Sequence, residues 1–364
     1  MSDRLYLATR KGLFAAERSA TDSWDVVSSA FVGDPVTMLL DDPRDGTLYA
    51  ALNLGHFGVK LHRSEDCGKN WEEVSAPAFA TESGEKEEKG DGPSVFQIWE
   101  LTPGGADQPG RLWAGTIPGG LFMSDDRGSS WRLVESLWNR PERANWFGGG
   151  YDDPGIHSVC VHPENRDHLT VGVSCGGVWV SLDGAETWET RTKGMFAAYM
   201  PPERRHDPSI QDPHRIAQCP AHPDVLWSQH HNGMFRSTDG GRSWTELKGV
   251  PSNFGFAVVA HPTDPETAWF VPAVKDECRV PVDGKVVVTR TRDGGRTFDV
   301  QRDGLPQQHA YDLVFRHALD IDKSGERLAF GSTTGSVWVS ENGGDRWAAI
   351  SRHLPPVYQV LFAG

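Results

Sequence analysis

The chain has 364 residues, of which 38% are hydrophobic and 24% are charged, and its formal net charge is −14 at pH 7. This hydrophobic content is enough to bury a large core, so it excludes a disordered chain. The acidic charge, with no stripe of Lys and Arg to reverse it locally, excludes nucleic acid as an expected partner.

The N-terminal residues and the cysteines indicate a cytoplasmic protein with reduced thiols. Residues 1–11 read MSDRLYLATRK, which lacks the basic start, apolar middle and cleavage site of a secretory signal. No stretch reaches the roughly 18 apolar residues of a membrane-spanning helix, so no membrane partner is expected. The five cysteines are odd in number and form no C-x-x-C pair, which argues against a disulfide framework: Cys67, Cys160, Cys175, Cys219 and Cys278.

A short motif with the spacing S-x-D-x-G-x-S/T-W recurs along the chain. Nearly complete copies begin at Ser64, Ser124 and Ser237, and variants begin at Ser181, Thr291 and Ser340. A degenerate copy of the motif ends at Trp24. The final aromatic residues of successive copies are 47 to 60 residues apart: Trp24, Trp71, Trp131, Trp188, Trp244, Phe298 and Trp347. Repeats of about fifty residues are typical of propeller blades.

Each repeat is predicted to contain four antiparallel strands. Short apolar stretches alternate with turns, and 40 Gly and 24 Pro supply turn residues throughout. Such spacing is the pattern of half-buried strands bounded by turns. The sequence therefore predicts an all-β fold, a seven-bladed β-propeller of four-stranded blades that forms one domain over residues 1–364.

The two ends of the chain are predicted to share one blade. Residues 357–362 resemble a first strand with no blade behind it, and residues 5–8 resemble a second strand with none before it. Pairing of the two would close the ring and leave no sheet edge open.

The motif resembles the Asp-box, or bacterial neuraminidase (BNR), repeat over nearly the whole chain. The resemblance is to the WD40/YVTN/BNR-like propellers, among them proteins called sialidase-like or glycosyl hydrolases. The Asp and Ser/Thr side chains of such a motif are expected to bond to the backbone of a hairpin, and its Gly to adopt a positive φ. The motif is therefore expected to be structural. Ala185 replaces that Gly in the third copy, so we expect its turn to be distorted.

The resemblance implies a sialidase-like fold without sialidase activity. Sialidases of this family carry an Arg-Ile-Pro motif before the first box, an arginine triad and a Tyr/Glu nucleophile pair. The corresponding segment here reads Thr9-Arg10-Lys11-Gly12. Arg10, Arg215 and Arg279 are available for a triad, although their spacing does not require one.

Propeller topology sorts the histidines by face. The connection into an innermost strand and the second-to-third loop of each blade share one face, and the Asp boxes lie on the other. Three histidines are expected where innermost strands begin: His157, His214 and His309. Three more are expected in second-to-third loops: His56, His230 and His231. Five of them, all except His56, are predicted to converge on the axial mouth opposite the Asp boxes.

Imidazole is a common metal ligand and a general base near neutral pH. We expect no organic cofactor and one divalent metal ion (Zn, Mn, Fe or Ca) held by His157, His214, His231 and His309. The expected catalytic groups are His214, His230, Tyr311 and Glu277. Asp212 and Asp276 are further candidates to complete the ligation or to orient a histidine. The expected contacts of a small polar or carbohydrate substrate are Arg10, Asn53, His56, Arg215, Lys275, Arg279 and Gln308.

Two functions fit these residues. The first is a metal- or His-assisted hydrolase or lyase acting on a small polar substrate in the axial pocket. The alternative is a non-catalytic propeller that binds a protein or carbohydrate through its loop-rich face. Convergent polar groups in a pocket favour the first, and a large apolar patch without them favours the second. We expect a monomer or small homo-oligomer, and we assign no site role to the charged run at residues 82–91.

Overall fold

The computed structural model describes residues 1–80, 93–149 and 151–364, and the charged run at residues 82–91 lies outside them. The described strands form seven antiparallel sheets of four strands each. The innermost strands of successive sheets contact one another all the way round, so the sheets are the blades of a ring. The predicted all-β seven-bladed propeller is confirmed.

The first blade combines both ends of the chain. It contains β1 (Arg4–Thr9), β2 (Gly12–Arg18), β3 (Trp24–Ala30) and the last strand, β28 (Val357–Phe362). Blade 2 contains β4 (Val36–Asp41), β5 (Leu48–Asn53), β6 (Val59–Ser64) and β7 (Glu72–Val74). Blade 3 contains β8 (Gln97–Pro103), β9 (Leu112–Ile117), β10 (Leu121–Ser124) and β11 (Arg132–Leu133).

The other four blades follow in chain order. Blade 4 contains β12 (Ile156–His162), β13 (Asn165–Val173), β14 (Gly177–Ser181) and β15 (Glu189–Thr190). Blade 5 contains β16 (Pro213–Cys219), β17 (His222–His230), β18 (Gly233–Ser237) and β19 (Thr245–Leu247). Blade 6 contains β20 (Gly255–Ala260), β21 (Ala268–Pro272), β22 (Val288–Thr291) and β23 (Asp299–Gln301). Blade 7 contains β24 (Leu319–Ile321), β25 (Leu328–Gly331), β26 (Val337–Ser340) and β27 (Ala348–Ser351).

Helical segments are short in the described chain. The α-helix α1 is Glu135–Trp138, and the 3₁₀ turns are Gly55–Phe57, Pro141–Asn145, Pro208–Ile210 and Val282–Gly284. None of the described helices has the length and apolar character needed to cross a membrane.

Closure of the ring depends on the pairing of β28 with β1. The two strands are antiparallel, with Leu7 opposite Val360, and β28 also contacts β4 and β24 of the neighbouring blades. The N–H of Arg10 donates to the carbonyl of Pro356 at 2.9 Å. The predicted sharing of one blade by the chain ends is therefore confirmed, and this pairing leaves the innermost position of blade 1 filled.

The tryptophans form the contacts between neighbouring blades. Trp113, Trp179 and Trp227 lie on the second or third strands of their blades and are fully buried. Such large side chains fill the space between two neighbouring sheets. Truncation of one to alanine typically lowers the free energy of unfolding by about 3–5 kcal/mol. The abundance of tryptophan in the sequence follows partly from these strand positions and partly from the repeated motif, six copies of which end in Trp.

The repeated motif forms a hairpin between the third and fourth strands of a blade. In the first copy the Ser64 hydroxyl donates to Asp66 Oδ1 at 2.8 Å and accepts the N–H of Gly68 at 2.9 Å. Asp66 Oδ1 also accepts the N–H of Asn70, and this bond lowers the pKa of Asp66 to about 2. The same bonds occur in the other copies, centred on Asp126, Asp183, Asp239, Asp293 and Asn342.

The third copy of the hairpin is not distorted, contrary to the expectation. Ala185 adopts the left-handed conformation with φ of 75°, where Gly241 of the next copy has 82°. The N–H of Ala185 still donates to Ser181 Oγ at 2.9 Å. The hydrogen bonds of the motif thus hold Ala185 in a conformation that disfavours a residue with a Cβ atom.

We expect Ala185→Gly to raise the free energy of unfolding by about 1 kcal/mol, because it relieves the left-handed strain. The reciprocal control is Gly241→Ala, which should lower it by a similar amount, since an added Cβ there would meet Leu226 only at an ordinary contact distance of 3.5 Å. Urea unfolding of both variants measures the two changes. A destabilised Ala185→Gly variant would contradict this account of the hairpin.

Asp320 anchors the closing strand. Its Oδ2 accepts the N–H of Phe362 at 2.8 Å, which links β24 to β28. Burial raises the pKa of Asp320 from 3.8 to about 6, despite this hydrogen bond. The folded protein therefore binds a proton at this position more tightly than the unfolded chain does.

This raised pKa gives a signed pH prediction. The contribution of Asp320 to stability is full below pH 3.8 and is lost as the pH rises through 6. Asp320→Asn keeps the acceptor oxygen but does not titrate. The difference in unfolding free energy, variant minus wild type, should therefore increase by about 2 kcal/mol between pH 4 and 7. Urea unfolding at several pH values measures it, and a difference independent of pH would show that the carboxyl titrates normally.

Candidate functional site

A pocket of about 900 Å³ opens at the axis of the ring. We call it the axial pocket, and the face that carries it the mouth face. Its lining comes from six of the seven blades, at the starts of innermost strands and in second-to-third loops. Thr37, Gln97 and Tyr358 represent the first group, and Arg10 and Asn53 represent the second. The structure thus places these two classes of position on one face, as the topology predicted.

Aromatic rings form much of the pocket wall. Trp99 and Tyr151 meet edge to face with ring centroids 5.4 Å apart. Phe96 packs against Tyr151 at 5.7 Å. The other lining rings are Phe57, Phe256, Phe315 and Tyr358. A pocket with such a wall can bind a flat or partly apolar face of a ligand.

Three arginines line the same pocket. The guanidinium of Arg279 is paired with the carboxylate of Asp276. Arg10 and Arg316 have no acidic partner within 4.0 Å in the part of the chain that the structure describes. The Arg316 guanidinium lies 4.7 Å from the ring centroid of Trp99 and 5.2 Å from that of Phe256. Its Nε is buried and makes no hydrogen bond within the described residues.

Arg316 remains positively charged in this position. Burial lowers its pKa, but an arginine starts so far above neutrality that it stays protonated. Two cation–π contacts compensate in part for the lost hydration. The remaining hydrogen-bonding capacity of this guanidinium is available to a ligand.

A second group of charges behind the wall is internally paired. Glu100 is buried and accepts from Arg215, and its Oε2 lies 3.4 Å from Nε2 of His317. Burial raises the pKa of Glu100, but the charges and hydrogen bonds of Arg215 and His317 together outweigh this effect, so the pKa is lowered. Arg215 also donates to the carbonyl of His157 at 2.7 Å. This network is satisfied without a ligand, unlike Arg316.

Asp212, His214 and His231 form a compact cluster beside the pocket. Oδ2 of Asp212 lies 3.4 Å from Nε2 of His214 and 3.4 Å from Nδ1 of His231. One nitrogen or oxygen from each residue lies within 4.8 Å of the other two. Asp212 and His214 are buried, and the His231 side chain is 21% exposed. The cluster therefore opens to solvent at His231.

The surroundings fix the orientation of both buried members of the cluster. Asp212 Oδ1 accepts the N–H of Cys175 at 3.0 Å and the hydroxyl of Ser174 at 3.2 Å. Nδ1 of His214 lies 2.7 Å from the carbonyl of Gly255, to which it must donate. Asp212 Oδ2 and His214 Nε2 are thereby directed at each other.

Burial and neighbouring charges set the ionisation of the cluster. Burial raises the pKa of Asp212, but the charge and hydrogen bond of His214 more than offset this, so the pKa lies well below its usual value. Burial lowers the pKa of His214, against the opposing effect of Asp212. Asp212 is therefore a carboxylate at neutral pH, and its negative charge opposes the effect of burial on the pKa of His214.

The cluster and the pocket share parts of one wall. Phe256 lines the pocket, and its ring stacks on His214 at a centroid distance of 4.5 Å. Arg316 also lines the pocket, and its positive charge helps to lower the pKa of Asp212. The cluster thus lies directly behind the arginine and aromatic side of the pocket.

The structure places six of the residues singled out from the sequence in two groups, the pocket lining and the cluster. Arg10, Asn53 and Arg279 line the axial pocket. His214 and His231 belong to the cluster, with Asp212 as the third member.

Several other candidates lie on the outer surface of the mouth loops. Lys275 pairs with Glu277, and both side chains are largely exposed. Tyr311 is 61% exposed. None of the other exposed candidates is among the residues that line the pocket: His56, Gln308 and His309.

Two of the histidines predicted to belong to the site, His157 and His230, make internal hydrogen bonds through both ring nitrogens. His157 Nε2 lies 2.7 Å from the carbonyl of Pro213, and its Nδ1 lies 2.9 Å from Ser158 Oγ. Each ring nitrogen of His230 lies 3.1 Å from a backbone N–H, those of Asp212 and Asn232. Neither histidine has a ring nitrogen free for metal or substrate. Arg215, expected to bind substrate, is likewise engaged by Glu100.

His309 lies outside the pocket because the innermost strand of blade 7 starts later than the sequence predicted. The innermost strand of blade 7 was expected to follow His309 directly, but β24 begins only at Leu319. The residues that precede this strand, Phe315 to His317, are therefore the ones that reach the pocket. The rule that the starts of innermost strands lie on the mouth face was correct. The predicted start of β24 was too early, so Arg316 was not selected as a candidate.

Comparisons with known proteins support the fold and give little information on activity. No family model matches the chain. It is 25% identical over 273 residues to the oligoxyloglucan-reducing end-specific xyloglucanase of Emericella nidulans, which covers 67% of this chain and 31% of that protein. The chain thus spans about a third of the length of this curated relative.

Solved structures share the propeller fold. An ancestral GH74 enzyme superposes with a TM-score of 0.57 at 15% identity, covering 86% of this chain and 38% of that one. YCF48 from Cyanidioschyzon merolae gives a TM-score of 0.56 at 14% identity, covering 94% and 96% of the two chains. At these identities the likeness extends to the fold alone.

Proposed function

We propose that the axial pocket binds a small polar ligand that carries a carboxylate, of the size of an acidic sugar, and that the protein is a hydrolase or lyase acting on it. The observation that carries this proposal is Arg316, a guanidinium without an ionic partner among the described residues, held over two aromatic rings inside the pocket.

The charge around the pocket favours an anion even though the whole chain is acidic. Arg10 and Arg316 contribute unpaired positive charge, and Asp34 is the one acidic side chain among the described residues that line the pocket. A buried charge is stable only if it is compensated. A carboxylate matches a guanidinium in geometry and accepts two parallel hydrogen bonds from it.

The remaining lining fits a sugar-sized ligand. Trp99, Tyr151 and Tyr358 offer ring faces or edges for apolar contact, and Asn53 and Gln97 offer amide groups to hydroxyls. The xyloglucanase likeness points in the same direction, because that relative is named for action on an oligosaccharide.

The chemistry we propose is hydrolysis or elimination. In hydrolysis, the oxygen of a water molecule bonds to the electrophilic carbon and a proton passes to the departing oxygen. In elimination, a base removes a proton next to the carboxylate and the leaving group departs with the electron pair of its bond. We assign the histidine base, or the metal ligands, that either reaction needs to the cluster of Asp212, His214 and His231. The cluster lies behind the side of the pocket formed by Phe256 and Arg316, so a ligand must reach past that side to meet it.

The alternative is a propeller that binds without catalysis. Exposed rings at the mouth favour it, because Phe57 is 72% exposed and Phe96 is 49% exposed. Release of nitrophenol from 4-nitrophenyl glucuronides detects hydrolysis, and ultraviolet absorption of the unsaturated uronate formed from an oligouronide detects elimination. Binding of glucuronate with neither signal would favour the binding propeller.

The pocket proposal predicts that glucuronate binds and that its neutral analogue glucuronamide binds at least about 10-fold more weakly, since a charge-assisted hydrogen bond contributes roughly 1.5–3 kcal/mol. Arg316→Gln should remove most of this difference, because Arg316 is the unpaired arginine held against the aromatic wall, whereas the remaining unpaired arginine, Arg10, is exposed to solvent. Isothermal titration calorimetry or ligand-observed NMR measures both affinities.

The matched control is Lys11→Gln, which removes an exposed positive charge next to Arg10 that does not line the pocket. It should leave the preference for glucuronate unchanged. Equal affinity for the two compounds in the wild type, or a preference that survives Arg316→Gln, would contradict the proposal.

We also expect no release of sialic acid from a fluorogenic sialoside. The Arg-Ile-Pro segment is absent from the sequence, and no glutamate accompanies Tyr151 or Tyr358 among the described lining residues of the pocket. Fluorescence release by the purified protein measures this activity. Turnover that is lost in Arg316→Gln would show instead that the pocket is a sialidase site.

A further inference from the structure

We propose that Asp212, His214 and His231 bind one divalent transition-metal ion, with two imidazole nitrogens and one carboxylate oxygen as the protein ligands. This inference deepens the proposed function by naming the group that would activate water beside the axial pocket. It rests on the geometry of the cluster, which is independent of the ligand that the pocket takes.

The spacing of the three ligand atoms fits a single ion. Two ligands that each lie about 2.1 Å from a tetrahedral ion are about 3.4 Å apart. Asp212 Oδ2 lies 3.4 Å from the ring nitrogen of His214 and 3.4 Å from that of His231. All three atoms lie within 4.8 Å of one another, so a small adjustment brings them to one centre.

Hydrogen bonding by His214 directs an unshared electron pair at Asp212. Because Nδ1 of His214 donates to the carbonyl of Gly255, a neutral imidazole has no proton on Nε2. The lone pair of Nε2 then faces the carboxylate oxygen at 3.4 Å. Two electron-rich atoms directed at each other are stabilised by a positive centre between them, which either a proton on Nε2 or a metal ion supplies.

The outer contacts of the ligands also match those of a metal site. Histidine ligands usually donate their second nitrogen to a carbonyl or carboxylate, and ligand carboxylates are themselves hydrogen bonded. Here Gly255 accepts from His214, and the N–H of Cys175 and the hydroxyl of Ser174 hold Oδ1 of Asp212. Oδ2 is thereby left for the ion.

The donor set selects the class of ion. Two imidazoles and one carboxylate suit Zn²⁺, Fe²⁺ or Mn²⁺, whereas Ca²⁺ and Mg²⁺ prefer oxygen ligands. Three protein ligands leave a position open for water, as in catalytic zinc sites. A water bound there would be an effective nucleophile near neutral pH. The partial exposure of His231 provides access for the ion and for solvent.

The test is titration of untagged, chelator-treated protein with Zn²⁺ by calorimetry, together with Co²⁺ as a spectroscopic probe. The wild type should bind one equivalent of Zn²⁺, and Co²⁺ should give a visible d–d absorption. Asp212→Asn and His231→Ala should each weaken Zn²⁺ binding by at least about 100-fold, because even outer partners of a metal site contribute 10–100-fold. Ca²⁺ should not compete.

The control is His56→Ala, which removes an exposed histidine of the mouth face that lies outside the cluster. It should bind Zn²⁺ as the wild type does. Circular dichroism melting of each variant shows whether the fold is retained, and His231→Ala removes the most exposed ligand, so it is least disruptive to packing. Failure of the wild type to bind one equivalent, or undiminished binding by the folded Asp212→Asn or His231→Ala variant, would overturn the metal site.

The same variants separate this inference from the proposed function. If the metal site is wrong but the pocket proposal is right, the wild type binds no Zn²⁺ and still prefers glucuronate over glucuronamide through Arg316. If the pocket proposal is wrong but the metal site is right, one equivalent of Zn²⁺ binds while the two sugar probes show no preference.

Discussion

The pairing of β28 with β1 is the constraint on which the rest of this structure depends. It closes the ring and places the start of β28 beside the end of β1 at the pocket, where Arg10 and Tyr358 both belong to the lining. The same strand also contacts the residues before β24, since the N–H of Val360 donates to the carbonyl of His317. Arg316 precedes His317, so closure of the ring also helps to fix the backbone of the arginine that faces the pocket.

The mouth face buries several charges, and they differ in how they are compensated. Glu100 is satisfied by Arg215 and His317, which gives the inner wall a neutral and rigid support. Arg316 and the Asp212 cluster are different, because Arg316 has no acidic partner within 4.0 Å among the described residues and Oδ2 of Asp212 meets the nitrogens of His214 and His231 only at 3.4 Å. Buried polar groups without partners lower stability, and other such atoms occur in the described ring, for example Nε1 of Trp113 and of Trp227. Arg316 and the cluster differ from these in lying in or beside a pocket, where a ligand can complete them. The two sites share Phe256, which contacts both His214 and the Arg316 side of the pocket.

Most of the fold can be predicted from the sequence, because the residues that specify each blade are close together in the chain and recur in every repeat. Each copy of the repeated hairpin motif is specified by side chains within about eight residues, and the chain ends indicate their pairing because each lacks a partner strand in its own segment. The site is harder to predict because it is assembled from loops that differ from blade to blade. Topology placed His214 and His231 on the correct face, but only distances show that they converge on Asp212 while His157 turns to Pro213. The sequence did not indicate Arg316, because residues 307–318 have the composition of a strand and the innermost strand was therefore expected to begin near His309. In the structure β24 begins at Leu319.

The most direct test of the central claim, that Arg316 holds the anionic group of a ligand in the axial pocket, is a crystal structure of the protein soaked with 4-bromobenzoate. Anomalous scattering from the bromine locates one end of the molecule, and the electron density locates the carboxylate. The account predicts the carboxylate in hydrogen-bonding contact with the Arg316 guanidinium and the ring against the aromatic wall near Trp99. A pocket that stays free of the compound, or a bound compound whose carboxylate points away from Arg316, would contradict it.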